Sequence, residues 1–152
     1  MDADNILKLA DAAGIETHYW DNHGNRHDAS HQTIRGLLGA FGIAADSDAE
    51  VWASLTHFWR APWMRLLLPT VALHEDDPVA IPLRAWEEDA SRIVSWQLVL
   101  EDGSKRQGEC RLGDLAHDDI AYFDNRRIFQ YRLRLATLPC GYHLFRVEGE
   151  DA

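Results

Sequence analysis

The sequence predicts a mainly β protein, an immunoglobulin-like antiparallel β-sandwich over residues 63–152 preceded by a small three-helix segment over residues 1–62. Three observations carry this. After Pro62 the apolar residues alternate with period two in six runs, separated by turns every 8 to 15 residues. Before Pro62 they recur at helical spacing in three short, capped stretches. Near the C-terminus, Leu138-Pro139-Cys140-Gly141 reads as a tight turn ahead of a last alternating run, and Tyr142 comes directly after it. A tyrosine placed there matches the tyrosine corner of immunoglobulin-like sandwiches.

In chain order, residues 4–13 carry Ile6, Leu9, Ala10 and Ala13 on one face, with Asp4 as N-cap and Gly14 at the C′ position, where a left-handed residue is needed. Residues 15–27 are rich in β-branched and aromatic side chains and read as extended, broken by a turn around residues 22–25. Ser30 caps a second helix over residues 32–41, with Ile34, Leu37, Leu38 and Phe41 as its stripe and Gly42 as its stop. Ser47-Asp48-Ala49-Glu50 fits a capping box, so a third helix starts at Asp48. Val51, Trp52, Leu55, Phe58 and Trp59 form its buried face, and Ala61-Pro62 ends it. Helices this short cannot bury their stripes alone, so they must pack on one another or on the chain after Pro62, and one cooperative unit is expected.

Leu67, Val71 and Leu73 alternate across Pro69, which suggests an edge strand or a bulge. Val79, Ile81, Leu83 and Ala85 form the next run, with Pro78 and Pro82 on the other face. Val94, Trp96, Leu98 and Leu100 lead into Glu101-Asp102-Gly103-Ser104, a hairpin signal, and residues 105–112 return. Residues 114–125 read as a polar loop holding Tyr122 and Phe123. Phe129, Tyr131, Leu133 and Leu135 alternate next, and His143, Phe145 and Val147 form the inner face of the last strand.

Composition narrows the function classes. The formal net charge is −10, and no Lys/Arg cluster offsets it, so nucleic acid and anionic membranes are poor partners. Met1-Asp2-Ala3-Asp4 lacks the basic and apolar regions of a secretory signal. No apolar run approaches the roughly 18 residues that a membrane-spanning helix needs. Cys110 and Cys140 are expected to stay reduced in a cytosolic chain.

Chemistry-bearing motifs are sparse. His23 and His27 have H-x3-H spacing beside Asp21 and Asp28, but Gly24-Asn25 makes the segment a turn rather than a zinc-binding helix face. His74-Glu75-Asp76-Asp77 and His117-Asp118-Asp119 lack the spacing and glycine of a calcium loop and read as solvated acidic loops. Cys140 and His143 lie three residues apart, but a strand start does not bring such a pair together. No catalytic residue, cofactor site or metal site is expected: no nucleophile elbow, phosphate loop, dinucleotide fingerprint or zinc-protease motif occurs. The candidates that remain are aromatic. Trp52, Trp59 and Trp96 fall on core stripes, whereas Trp86 falls on the Arg84 face of its strand and Tyr122 in a polar loop. Trp86 and Tyr122 are therefore candidates for contact with a carbohydrate or with another domain, of which domain contact is the commoner use.

Three stretches together resemble the N-terminal region of amylomaltase, the MalQ-type 4-α-glucanotransferase of glycoside hydrolase family 77. They are Leu9-Ala10-Asp11-Ala12-Ala13-Gly14-Ile15-Glu16-Thr17-His18-Tyr19-Trp20-Asp21 followed by Gly24-Asn25, Ser30-His31-Gln32-Thr33-Ile34-Arg35-Gly36-Leu37-Leu38, and Leu138-Pro139-x-Gly141-Tyr142-His143. The resemblance implies a helical segment and a β-sandwich placed before a (β/α)8 barrel, in a cytoplasmic enzyme that transfers α-1,4-glucan segments between maltooligosaccharides. It implies that the catalytic acids lie in the barrel, so none is carried over to this sequence. The partners it implies are the enzyme's own catalytic barrel and maltooligosaccharide. A stand-alone carbohydrate-binding or protein-interaction module is the alternative.

Overall fold

Ile6, Leu9 and Ala10 repeat at helical spacing, and in the computed structural model, which describes residues 3–74 and 77–148, they lie on helix α1 (Ala3–Ala12). Asp4 is not its N-cap; it sits inside the first turn and pairs with Lys8 one turn on. Gly14, at φ +73°, ends the helix. Its N–H donates to the Asp11 carbonyl at 2.9 Å and the Ile15 N–H to the Ala10 carbonyl at 2.8 Å, a Schellman pair. The extended segment is a small hairpin of β1 (His18–Trp20) and β2 (Arg26–Asp28). Helix α2 (His31–Ala40) is capped by Ser30, whose hydroxyl accepts from the Thr33 N–H at 3.1 Å. Helix α3 (Asp48–Arg60) carries the expected capping box: the Glu50 N–H donates to Ser47 Oγ at 3.2 Å, and the Ser47 N–H to Glu50 Oε2 at 2.9 Å.

Contacts divide the chain between Ala61 and Pro62. In the first unit Ile6, Leu9, Ala10, Ile34, Leu38, Val51 and Leu55 share one core, so the helices do pack on one another. The buried stripes are narrower than expected. Leu37 and Phe41, at the end of α2, and Trp52 and Trp59 of α3 are exposed, the two tryptophans at 54% and 49%. The reason is angular. Val51, Leu55 and Phe58 already fill the buried face of α3, and Trp52 and Trp59 lie about 100° further round. Being seven residues apart, they share that adjacent face and meet edge to face at 6.1 Å.

The second unit departs from the expected strand pattern at two places. No strand forms over residues 67–73. The chain makes a 3-10 turn at Ala61–Met64, and Leu67 contributes only an isolated bridge to Leu83. Leu66, rather than Leu67, is the buried side chain, and its carbonyl accepts from the Arg84 N–H at 2.9 Å. Pro69 lacks the N–H with which a ladder would continue. The expected strands over 79–85, 94–100 and 105–112 appear as β3 (Ala80–Trp86), β4 (Ile93–Val99) and β5 (Lys105–Arg111). Pro82 is tolerated because β3 is an edge strand.

The second departure is the expected polar loop at 114–125, which is mostly a strand, β6 (His117–Phe123). Asp124 and Asn125, at φ 53° and 60°, turn it into β7 (Arg126–Arg134). Two left-handed residues make the type I′ turn that suits a two-residue hairpin. The last strand is β8 (Leu144–Glu148).

In this unit the strands form two antiparallel sheets, in the orders β3-β7-β6 and β5-β4-β8. Ile81, Leu83, Ala85, Tyr131 and Leu133 from the first pack with Val94 of the second, against half-buried Trp96, Phe145 and Val147. This is the sandwich core. The tyrosine corner, however, is absent: Tyr142 is 90% exposed. Its place in the hydrogen bonding of the turn is taken by His143.

Candidate functional site

Gly141 sits at φ +152°, and a Cβ there would collide with the Glu101 carboxylate. The close approach is used. Glu101 Oε2 accepts from the Tyr142 N–H at 3.3 Å, and the Glu101 N–H donates to His143 Nδ1 at 3.2 Å. His143 Nε2 lies 2.9 Å from the Pro139 carbonyl. Nδ1 accepts, so the Nε2 position is the one that can donate to that carbonyl. Arg106 Nη1 donates to the Thr137 carbonyl at 3.2 Å and holds the turn from its other end. The β4–β5 hairpin thus clamps the backbone of the turn while leaving the Tyr142 ring free.

The clamped turn forms one wall of a cleft of about 590 Å³. Residues 67–74 also line it, together with Val79 just before β3 and Ile81, Leu98 and Phe145 from the strands. Thr70, His74, Asp77 and Tyr142 are polar groups along it. Asp77 Oδ2 accepts from the His74 N–H at 3.0 Å, which orders that part of the wall. The apolar residues read as a strand from sequence therefore line a cleft instead.

Trp86 and Tyr122 do not come together. Trp86 is in register with Ile128 and Tyr122 with Arg127, so neighbouring β7 positions place them on opposite faces of one sheet. The Arg126 guanidinium lies 3.9 Å over the Trp86 ring, and Arg126 Nε donates to Glu88 Oε1 at 2.7 Å. One ring face of Trp86 is therefore covered by a cation. Tyr122 belongs to β6 rather than to a loop and is 68% exposed, on the face that carries Phe129 and Tyr131 deeper in the sandwich.

The His-acid runs have structural employment. Asp21 accepts from the His23 and Asn25 N–H groups at 2.8 and 2.9 Å, and His27 Nε2 lies 3.0 Å from its second oxygen. Hydrogen bonds from Asn25, then His27, hold the Asp21 carboxyl far below the usual carboxylate range. Asp21 organises the β1–β2 turn. His117 and Asp118 belong to β6, not to a solvated loop. The His117 ring packs 4.7 Å from Phe129, and a bulge between His117 and Asp119 frees Asp118 to meet Arg132 and Gln130. Burial pushes the Asp118 carboxyl up, but those two hydrogen bonds and the Arg132 charge outweigh it and lower its pKa. Of the run at His74, Glu75 and Asp76 lie outside the described residues. Cys140 is exposed, and both ring nitrogens of His143 are already engaged, so the two do not form a nucleophile pair. Cys110 is a half-buried thiol whose pKa is raised by burial.

Among the described residues no polar or charged side chain is buried, and no three His, Cys, Asp or Glu side chains are grouped to hold a metal ion. None of the described helices is long and apolar enough to cross a membrane.

Residues 66–152 match the model of the MalQ N-terminal beta sandwich domain. The 4-alpha-glucanotransferases of Mycobacterium bovis and Mycobacterium tuberculosis are each 28% identical to the chain over 152 residues, covering 99% of this chain but 20% of their own length. The crystal structure of amylomaltase from Corynebacterium glutamicum superposes with a TM-score of 0.71 at 22% identity, over 98% of this chain and 21% of that one. At that identity the superposition speaks for the fold. The chain thus spans about a fifth of the length of the relatives it matches.

Proposed function

The chain belongs to the MalQ N-terminal beta sandwich domain family, and from that premise we propose that it is the non-catalytic N-terminal module of a 4-α-glucanotransferase. In this reading the parent protein redistributes α-1,4-glucan segments among maltooligosaccharides in the cytoplasm, and the module supports its catalytic barrel and contacts glucan. The observation that carries it is the coverage: relatives named as 4-alpha-glucanotransferases align with nearly all of this chain and only a fifth of themselves.

The chemistry of the surface supports the accessory role. Acid–base catalysis on a glycosidic bond needs two carboxyl groups facing each other across a site, one with a raised pKa. Here Glu87 is forked by Arg127, Glu88 is held by Arg126 and Asp118 by Arg132. The carboxyls of Asp21, Glu88, Asp102 and Asp118 are each held below the ordinary carboxylate range by the hydrogen bonds they accept, the reverse of what a general acid needs. Barrel support has a surface to use, because Phe41, Trp52 and Trp59 leave aromatic area on the helical unit of the kind that a neighbouring domain covers.

The coding sequence provides the test. A reading frame that continues past the Ala152 codon for several hundred codons is expected. A stop codon directly after it would overturn the accessory role and leave a stand-alone carbohydrate-binding or protein-interaction module.

A further inference from the structure

We propose that the cleft between residues 67–74 and the 138–145 turn is a binding site for a neutral maltooligosaccharide, with the Tyr142 ring as its stacking platform. The inference rests on the glucan-contact half of the function proposed above and places that contact away from Trp86 and Tyr122.

Three observations converge on it. The first is preorganisation. A ring that is 90% exposed ordinarily belongs to a mobile segment, but the Tyr142 backbone is fixed to Glu101, directly and through His143, and His143 is fixed to Pro139. A ligand that stacks on this ring does not have to order the loop that carries it. The second is the pattern of the lining. A pyranose has apolar C–H faces and a belt of hydroxyls. The cleft offers exposed Val71, Leu73 and Leu144 to the faces, over a floor of buried Val79, Ile81 and Leu98, and Thr70 and His74 to the hydroxyls. Its volume of about 590 Å³ lies in the range of small-ligand clefts.

The third observation is charge. Among the described residues no Lys or Arg lines the cleft, and Asp77 is the one acid. An anionic sugar phosphate or an acidic peptide would meet a carboxylate with no counter-charge, on a chain of net charge −10. A neutral polyol meets no such penalty. Trp86 is the poorer platform, because Arg126 already occupies one face of its ring.

The probe is maltoheptaose, titrated into residues 1–152 while amide shifts are followed by NMR. Saturable shifts confined to residues 67–74 and 138–145 are expected. Tyr142→Ala should weaken the affinity about tenfold, the effect of losing one ring stack. Tyr142→Phe should retain it, and Trp86→Ala and Tyr122→Ala should leave it unchanged. Tyr142 is almost wholly exposed, so its removal is not expected to disturb the fold, and unchanged shifts elsewhere in the spectrum check this. Absence of saturable shifts at about 10 mM sugar, a weak limit by any measure of affinity, overturns the site. Shifts centred elsewhere, or equal affinity in Tyr142→Ala, overturn it too, and would assign the exposed ring to contact with another domain. The two proposals fail separately: a stop codon after Ala152 removes the parent enzyme without removing this binding, and absence of binding leaves the accessory role standing.

Discussion

Leu83→Ala is expected to destabilise the sandwich unit by about 2–5 kcal/mol, more than any other single truncation proposed for it. Leu83 is fully buried at the middle of β3, in register with Tyr131 and bridged by Leu67 from outside the sheet. The β7 ladder on one side and the packed sandwich core around it keep the neighbours from closing on the vacated volume, so the cavity cost adds to the lost transfer energy. Urea unfolding followed by far-UV circular dichroism measures it, as a lower midpoint at unchanged slope. Leu73→Ala is the contrast. Leu73 lies half exposed on the cleft wall, and its truncation should cost about 1 kcal/mol or less. Equal losses at the two positions would mean that residues 67–73 belong to a sheet after all.

Gly108→Ala is expected to cost about 1–3 kcal/mol through overpacking rather than through backbone strain. Gly108 lies opposite Trp96 in the β4–β5 ladder, and a Cβ there would stand 2.7 Å from Trp96 Cζ2 and 3.0 Å from Cε2. The indole cannot swing aside freely, because it stacks on Phe145 at 5.8 Å and packs against the core. A shifted tryptophan emission spectrum should accompany the lower urea midpoint. Replacing glycine with alanine by itself stabilises, by reducing the freedom of the unfolded chain by about 0.4–1 kcal/mol. A neutral or stabilised variant would therefore show that the ring moves without resistance.

Local signals are legible in the sequence, and signals that depend on register are not. The Gly14 and Gly42 stops and the Ser30 and Ser47 caps involve residues within one turn of each other, so spacing alone reveals them. Strands β3, β4, β5 and β7 are legible because their inner faces meet the opposite sheet, which enforces period two. Residues 67–73 show the same period for another reason: they line a cleft, and half-burial against a cleft leaves the same alternation as half-burial in a sheet. Strand β6 is hidden by the converse. It is fastened by backbone pairing and by Asp118 to Arg132, with Ile120 and Tyr122 exposed, so its composition resembles that of a loop. The Asp124-Asn125 pair is the available sign, since both residue types accept left-handed angles.

The β6–β7 hairpin also decides the site. Without its register there is no way to see that Trp86 and Tyr122 face opposite sides of one sheet. The role of Tyr142 is hidden for a related reason. A Pro/Gly turn before a late strand fits a tyrosine corner, but here the hydrogen bonds that pin the turn come from Glu101 and His143, which are 42 residues apart. Separation of that size leaves no local pattern. The exposed ring and the cleft beside it emerge only once the turn is placed against the β4–β5 hairpin.

In the function proposed above, this chain assists a glucanotransferase without performing the transfer itself. Maltotriose, incubated with residues 1–152 alone and with the complete gene product, separates the two possibilities. Glucose and longer maltooligosaccharides are predicted from the complete product, and unchanged maltotriose from residues 1–152. Turnover of maltotriose by residues 1–152 alone would contradict the claim.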